Sequence, residues 1–152
     1  MIKASTHNEV TRSIDITMRY CYLTIKRRRV MKFKLLLFLL SVKLKSASKK
    51  NPAFIRYIKD KTLKAQIKTA DNSQGRLYIF NKGKVTSDPG VHEADFAMVW
   101  SEPETAFKVM TSGNEEASLA ALTERKLVVE GNYKDFAWFS KALSIMTAKQ
   151  AS

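Results

Sequence analysis

Apolar and polar positions change their spacing several times along the chain, and each change marks an element. Between residues 31 and 47 (MKFKLLLFLLSVKLKSA), Phe33, Leu36, Leu37, Leu40 and Leu44 recur at the spacing of one helical face. Asn51 then stands where an N-cap belongs, and Pro52 suits the first helical position. Phe54, Ile55 and Ile58 share a face, which predicts a second, short helix. The period then drops to two. In TLKAQIKTA, Leu63, Ala65 and Ile67 alternate with lysines and a glutamine, as in a half-buried strand. DNSQG at 71–75 is a turn, RLYIF at 76–80 a returning strand, and NKG at 81–83 a second tight turn into KVTSD. Asp88-Pro89-Gly90 breaks the chain, so these segments read as an antiparallel meander with short loops.

The next strand, ADFAMVWS at 94–101, has two unlike faces. Ala94, Phe96, Met98 and Trp100 lie on one side, and Asp95, Ala97, Val99 and Ser101 on the other. Ser101, Pro103 and Glu104 read as a helix start with Ser101 as the cap, and the helix stops at Gly113. Asn114 caps a further helix, EEASLAALTE, whose acidic first turn suits the helix dipole. KLVVEG is a strand, Gly131-Asn132 a turn, and the final helix carries Phe136, Trp138 and Phe139 within four residues.

Residues 1–30 show some alternation around Ile14, Ile16 and Met18 but no sustained period. They read as a basic N-terminal extension, either disordered or an ordered strand or helix, ahead of a single domain over 31–152. The 31–47 segment also carries a basic flank, an apolar run and small residues, as a secretory signal does. Against that, Lys43 and Lys45 fall where a cleavage region should lack positive charge, and the run is far shorter than the roughly 20 residues a membrane span needs. A packed helix, a membrane-surface helix and a signal segment all remain open on the pattern alone.

Composition narrows the function classes. A chain of 152 residues, 45% hydrophobic, suffices for one real core. The net charge of +13 is unevenly placed: residues 1–50 hold 13 Lys/Arg against Glu9 and Asp15, whereas 51–152 hold 14 against 12 acids. A nucleic-acid-binding domain spreads its basic footprint over its own folded face, so the distribution argues against that partner. The basic residues Lys26, Arg27, Arg28, Arg29, Lys32 and Lys34 suit a solvated tail or contact with an anionic membrane surface. The lone Cys21 permits no intramolecular disulfide and fits a reducing, cytoplasmic compartment. The five glycines are scattered singly, leaving no phosphate loop. His92, Glu93 and Asp95 are neighbours in an extended loop and are poorly placed to converge on a metal, and Glu102 and Glu104 read as helix-start acids. No catalytic constellation, metal site or cofactor is expected.

The order of elements together with ADFAMVWSEPETAFKVMTSG and RKLVVEGNYKDFAWFSKAL resembles the sterol carrier protein-2 family. The resemblance rests on Ala94-Asp95, the run Ser101–Gly113, and Lys126-Leu127 with Gly131-Asn132, and covers roughly residues 50–147. Arg125 and Asn132 depart from its usual glycine and aspartate. It implies an α+β fold with about five strands in a mixed, mainly antiparallel sheet, covered on one face by helices. It also implies a cavity between the layers for a sterol, fatty acyl chain or polyprenyl-type lipid; some bacterial relatives are accessory factors in ubiquinone synthesis. The residues point the same way. Phe96, Met98 and Trp100, then Phe107 and Met110, Leu119 and Leu122, and Phe136, Phe139, Leu143 and Met146 are the candidate cavity wall. The same stripes equally build a solid core, so a protein-interaction or structural module without a ligand is the alternative, with Trp138 or the N-terminal arm as its docking face.

Overall fold

The computed structural model describes residues 2–148; in the first helix, side chains are described for residues 15–24, 27, 28 and 31–50. The elements run α1 (Ile2–Lys50), α2 (Pro52–Ile58), β1 (Thr62–Thr69), β2 (Gly75–Asn81), β3 (Lys84–Pro89), β4 (Phe96–Trp100), α3 (Pro103–Ser112), α4 (Glu115–Thr123), β5 (Leu127–Gly131) and α5 (Tyr133–Thr147). The strands form one sheet in the order β3-β2-β1-β4-β5, in which only β1 and β4 pair in parallel. This is the expected mixed, mainly antiparallel sheet.

Alternation along the strands sets which face the helices cover. Register places Ala65 of β1 between Tyr78 on β2 and Phe96 on β4, and Leu63 opposite Phe80. All of these are buried, and the small side chain of Ala65 leaves room for Phe139 of α5 to meet both flanking rings, at 6.2 and 5.6 Å between centroids. On the opposite face Lys64 and Lys68 alternate with Gln66, which is buried beneath the segment joining β3 to β4. Gln66 Nε2 donates to the Gly90 carbonyl at 3.1 Å, and the His92 N–H donates to Gln66 Oε1 at 3.0 Å. One glutamine thus fastens the crossing that brings β4 alongside β1 in parallel.

The helix predicted over 31–47 is the C-terminal part of a longer one, beginning at Ile2 and running through the basic run without a break. Phe33, Leu37, Leu40, Ser41, Leu44 and Ala47 form its buried stripe, with Leu36 half-buried at the margin. The Tyr78 hydroxyl donates to the Leu37 carbonyl at 2.7 Å, pinning α1 to the sheet, and burial raises the pKa of this phenol. Asn51 caps α2 as expected, accepting from the Phe54 N–H at 3.2 Å. The expectation for α3 needs correction: Glu102, not Ser101, occupies the N-cap and makes no side-chain capping bond. The Ser101 N–H donates to the Lys126 carbonyl, one residue beyond the last strand pair of β4 and β5, so the ladder continues through Ser101 and the N-cap falls one residue later, at Glu102.

Candidate functional site

The space between sheet and helices is where the chemistry-poor, ring-rich residues converge. From β4, the parallel partner of the central strand β1, Phe96, Met98 and Trp100 all face the helices and are buried. From α5, Phe136, Phe139 and Ala142 are buried, with Leu143 and Met146 half-buried behind them. Phe139 is the hub: its ring lies 6.1 Å from Phe80 in an edge-on arrangement, besides its contacts with Tyr78 and Phe96. Phe136 meets Phe96 edge-on at 6.1 Å. Such offset and edge-on pairs suit the ring quadrupoles and add about 0.5–1.5 kcal/mol each beyond area burial.

Other predicted positions lie at the margin. Met110 and Leu122 are half-buried against the core, and Phe107 is half-buried with the Lys32 ammonium 6.0 Å from its ring. Leu119, at 60% exposure, is not brought into this space. Ala117, Ser118, Ala121 and Leu122 are the positions of α4 that lose solvent, so of the predicted pair Leu122 reaches the core and Leu119 is rotated away from it. Sequence reasoning passed over Tyr78 and Phe80; their alternation in RLYIF placed both on one face, two residues from Arg76, and was available as a signal. A depression of about 500 Å³ opens between the last turns of α1 and α5, bordered by Lys43, Lys50, Asn51 and Met146 among others. Of the predicted wall, Met146 alone borders it.

Two polar atoms stand out within the interior. Trp100 Nε1 and Gln74 Oε1 are buried with no hydrogen-bond partner. An unpaired buried donor or acceptor costs about 1–3 kcal/mol, so each marks a position where a further polar group would be favourable. The two are joined through Thr69, which pairs with Trp100 across β1 and β4 and exchanges backbone and hydroxyl bonds with Gln74.

Titratable groups are occupied in holding the fold. The Asp95 carboxylate accepts from the Lys64 N–H at 2.8 Å, and His92 Nε2 lies 2.8 Å from the Pro89 carbonyl. No cluster of metal-ligating side chains occurs among the described residues. Cys21 is exposed on α1. Tyr57 stacks on Trp138 at 5.0 Å, its hydroxyl donates to the Trp138 carbonyl at 3.1 Å, and burial raises its pKa. Trp138 is thereby committed to the α2–α5 contact. Of the basic residues picked from sequence, Arg27, Arg28, Lys32 and Lys34 are exposed; the side chains of Lys26 and Arg29 lie outside the described ones.

Comparison with solved structures supplies the fold's relatives. "UbiJ-SCP2 Ubiquinone synthesis protein" superposes with a TM-score of 0.58, covering 77% of this chain and 95% of that one at 13% identity. The chain has the sterol carrier protein-2 fold. Two further structures with this fold, "Crystal structure of sterol carrier protein 2" and the sterol carrier protein domain 2 of Helicoverpa armigera, give TM-scores of 0.48 and 0.47. They are 16% and 14% identical, cover 70% and 82% of this chain, and span 88% and 93% of their own. Scores this low carry nothing by themselves, and the likeness rests on the first. No protein-family model matches the chain, and no curated protein matches it in sequence. Within the sterol carrier fold, the ring-lined space under α3, α4 and α5 is the candidate site.

Proposed function

We propose that this protein is a non-catalytic carrier of an apolar lipid, taken up between sheet and helices. The observation that carries the reading is the sterol carrier fold itself, with Phe96, Met98, Trp100, Phe136, Phe139, Leu143 and Met146 converging on one interlayer space. The orphaned Trp100 indole N–H adds to it: a ligand oxygen placed there would satisfy a buried donor. Exclusion of a chain from water supplies about 0.8 kcal/mol per CH2. Among ligands the reading favours a polyprenyl or quinone type, in keeping with the ubiquinone-synthesis title of the UbiJ-SCP2 structure. Arg27, Arg28, Lys32 and Lys34, continued by Lys26 and Arg29, would hold the carrier against an anionic membrane in the cytoplasm, each contributing about 1 kcal/mol near the surface.

A second reading has its own observation. The Phe80, Phe96, Phe136 and Phe139 rings already fill the centre of the interlayer, as in a solid core serving a protein-interaction module. Native mass spectrometry of the freshly purified protein, followed by organic extraction, separates the two. Near-stoichiometric co-purifying lipid, lost in a folded Met98→Glu variant, supports the carrier. A clean apo mass, together with no uptake of a fluorescent fatty acid, refutes it.

A further inference from the structure

Helix α1 is apolar on two opposite faces, and the domain uses one of them. The inner stripe contains Phe33, Leu37, Leu40, Ser41 and Leu44. Met31, Leu35, Phe38, Leu39 and Val42 repeat the same spacing two residues earlier, which at 100° per residue is the opposite side of the helix. Their exposures run from 46% to 66%. Phe38, at the stripe's edge, has the Arg76 guanidinium 5.6 Å from its ring; the exposed apolar side chains that remain beside it need an explanation that single ones do not.

The charges around this stripe name its occupant. Lys34 and Lys45 lie on one flank and Lys32 and Lys43 on the other, each pair three turns apart and roughly a quarter turn from the stripe's centre. Arg27 and Arg28 precede it and Lys49 follows it, all exposed. From Ile16 to Lys50 the helix has no acidic residue. A second copy laid on this face would therefore set lysine rim against lysine rim with nothing to neutralise either. An anionic bilayer complements both features: aliphatic and aromatic groups enter the acyl boundary while lysine stems reach to the headgroups. No described helix is long and apolar enough to cross a membrane.

We infer that the outer face of α1, centred on Leu35, Leu39 and Val42, is a docking surface that inserts into the headgroup region of an anionic membrane, with α1 lying between bilayer and sheet domain. This deepens the surface contact proposed above by making the apolar stripe, not the basic run alone, the element that binds. It does not depend on what the interior carries.

The experiment is co-sedimentation of the full chain with phosphatidylcholine vesicles, with and without phosphatidylglycerol, in low and high salt. Binding should require phosphatidylglycerol, weaken in salt without vanishing, and fall about tenfold or more in Leu39→Glu/Val42→Glu. A second measurement is independent of how that variant folds: an environment-sensitive fluorophore placed on Leu39→Cys in a Cys21→Ser background should shift to the blue on adding phosphatidylglycerol vesicles, while one on Thr62→Cys should not. Failure of the wild-type chain to bind either vesicle overturns both the insertion and the surface contact. Wild-type binding that high salt abolishes, with no shift at position 39, overturns the insertion and leaves the basic contact standing. A self-association of the chain that Leu39→Glu/Val42→Glu dissolves, without vesicle binding, assigns the stripe to a second copy instead.

Discussion

Replacing Phe139 with alanine removes the ring on which the interlayer packing converges. Phe139 is fully buried, and its ring meets Tyr78, Phe80 and Phe96 at 6.2, 6.1 and 5.6 Å. A buried phenylalanine cut to alanine costs about 3–5 kcal/mol, the lost transfer free energy plus the void left behind. The upper part of that range applies, since β1, β2 and β4 supply three of the void's walls as hydrogen-bonded strands that cannot readily collapse into it. At this chain length each kcal/mol shifts the melting temperature by about 2–4 °C, so Phe139→Ala should melt roughly 10 °C lower by circular dichroism. The vacated space lies beside Phe96, on the candidate ligand path, so a long-chain fatty acid should raise the variant's melting temperature more than the wild type's. A drop below about 3 °C would refute the hub, since a ring with three aromatic neighbours cannot be removed that cheaply.

Gly131→Ala should destabilise strongly: the residue has φ +90°, and a Cβ would stand 2.5 Å from the Asp95 carbonyl oxygen. Urea unfolding should show a loss of more than about 1 kcal/mol. Tyr78→Phe leaves the buried Leu37 carbonyl without its side-chain donor and should cost about 1–2 kcal/mol in the same assay; an unchanged midpoint would mean α1 is held by apolar packing alone. Asp71, in the β1–β2 turn, accepts from the Thr69 and Ser73 hydroxyls and the Ser73 N–H, bonds that lower its pKa from 3.8 to about 2. A pKa lowered on folding contributes stability above about pH 4 that is lost as pH falls through 2. The stability gap between wild type and Asp71→Ala should therefore close between those values, and a gap constant down to pH 2 would contradict the assignment.

What could be read in advance followed local chemistry. Alternation at Leu63, Ala65 and Ile67 found β1, Asn51 and Asn114 announced helix starts, and Gly113, in the left-handed conformation, ended α3. The first part of α1 gave no period because its described side chains from Asp15 to Lys32 are all exposed, so nothing selects apolar positions along it. The misplaced cap has a similar origin. Ser101 has the right chemistry, but the ladder to β5 runs on through it to Lys126, 25 residues away, and no local pattern reports such a partner. For the candidate site, the core-facing residues of β4 and α5 were legible from spacing. Leu119 was not, because α4 turns the small side chains of Ala117 and Ala121 inward, and apolarity alone favoured the leucine.

The helices differ in how firmly they are held, and that difference bears on where a lipid would enter. Helix α5 buries two phenylalanines and an alanine and is tied to α2 by the Tyr57 hydroxyl and to Lys61 by Asp135, at 3.1 and 3.5 Å. Helix α1 is pinned by the bond from Tyr78. In contrast, the one wholly buried residue of α3 is Ala106 and that of α4 is Ala121. Beyond those alanines α3 and α4 hold to the core through half-buried side chains, Phe107, Val109 and Met110 on α3 and Leu122 on α4. Lifting them therefore forfeits less burial than lifting a helix anchored by the fully buried Phe139, at about 0.8 kcal/mol per CH2. On the carrier reading the layer therefore parts at α3 and α4, which lie next in the chain to Trp100 and its unpaired indole. Amides of α3 and α4 should exchange with deuterium at least about tenfold faster than those of α5, and a bound fatty acid should slow the former selectively. Equal protection of all three helices, or a ligand effect confined to α5, would place the opening elsewhere.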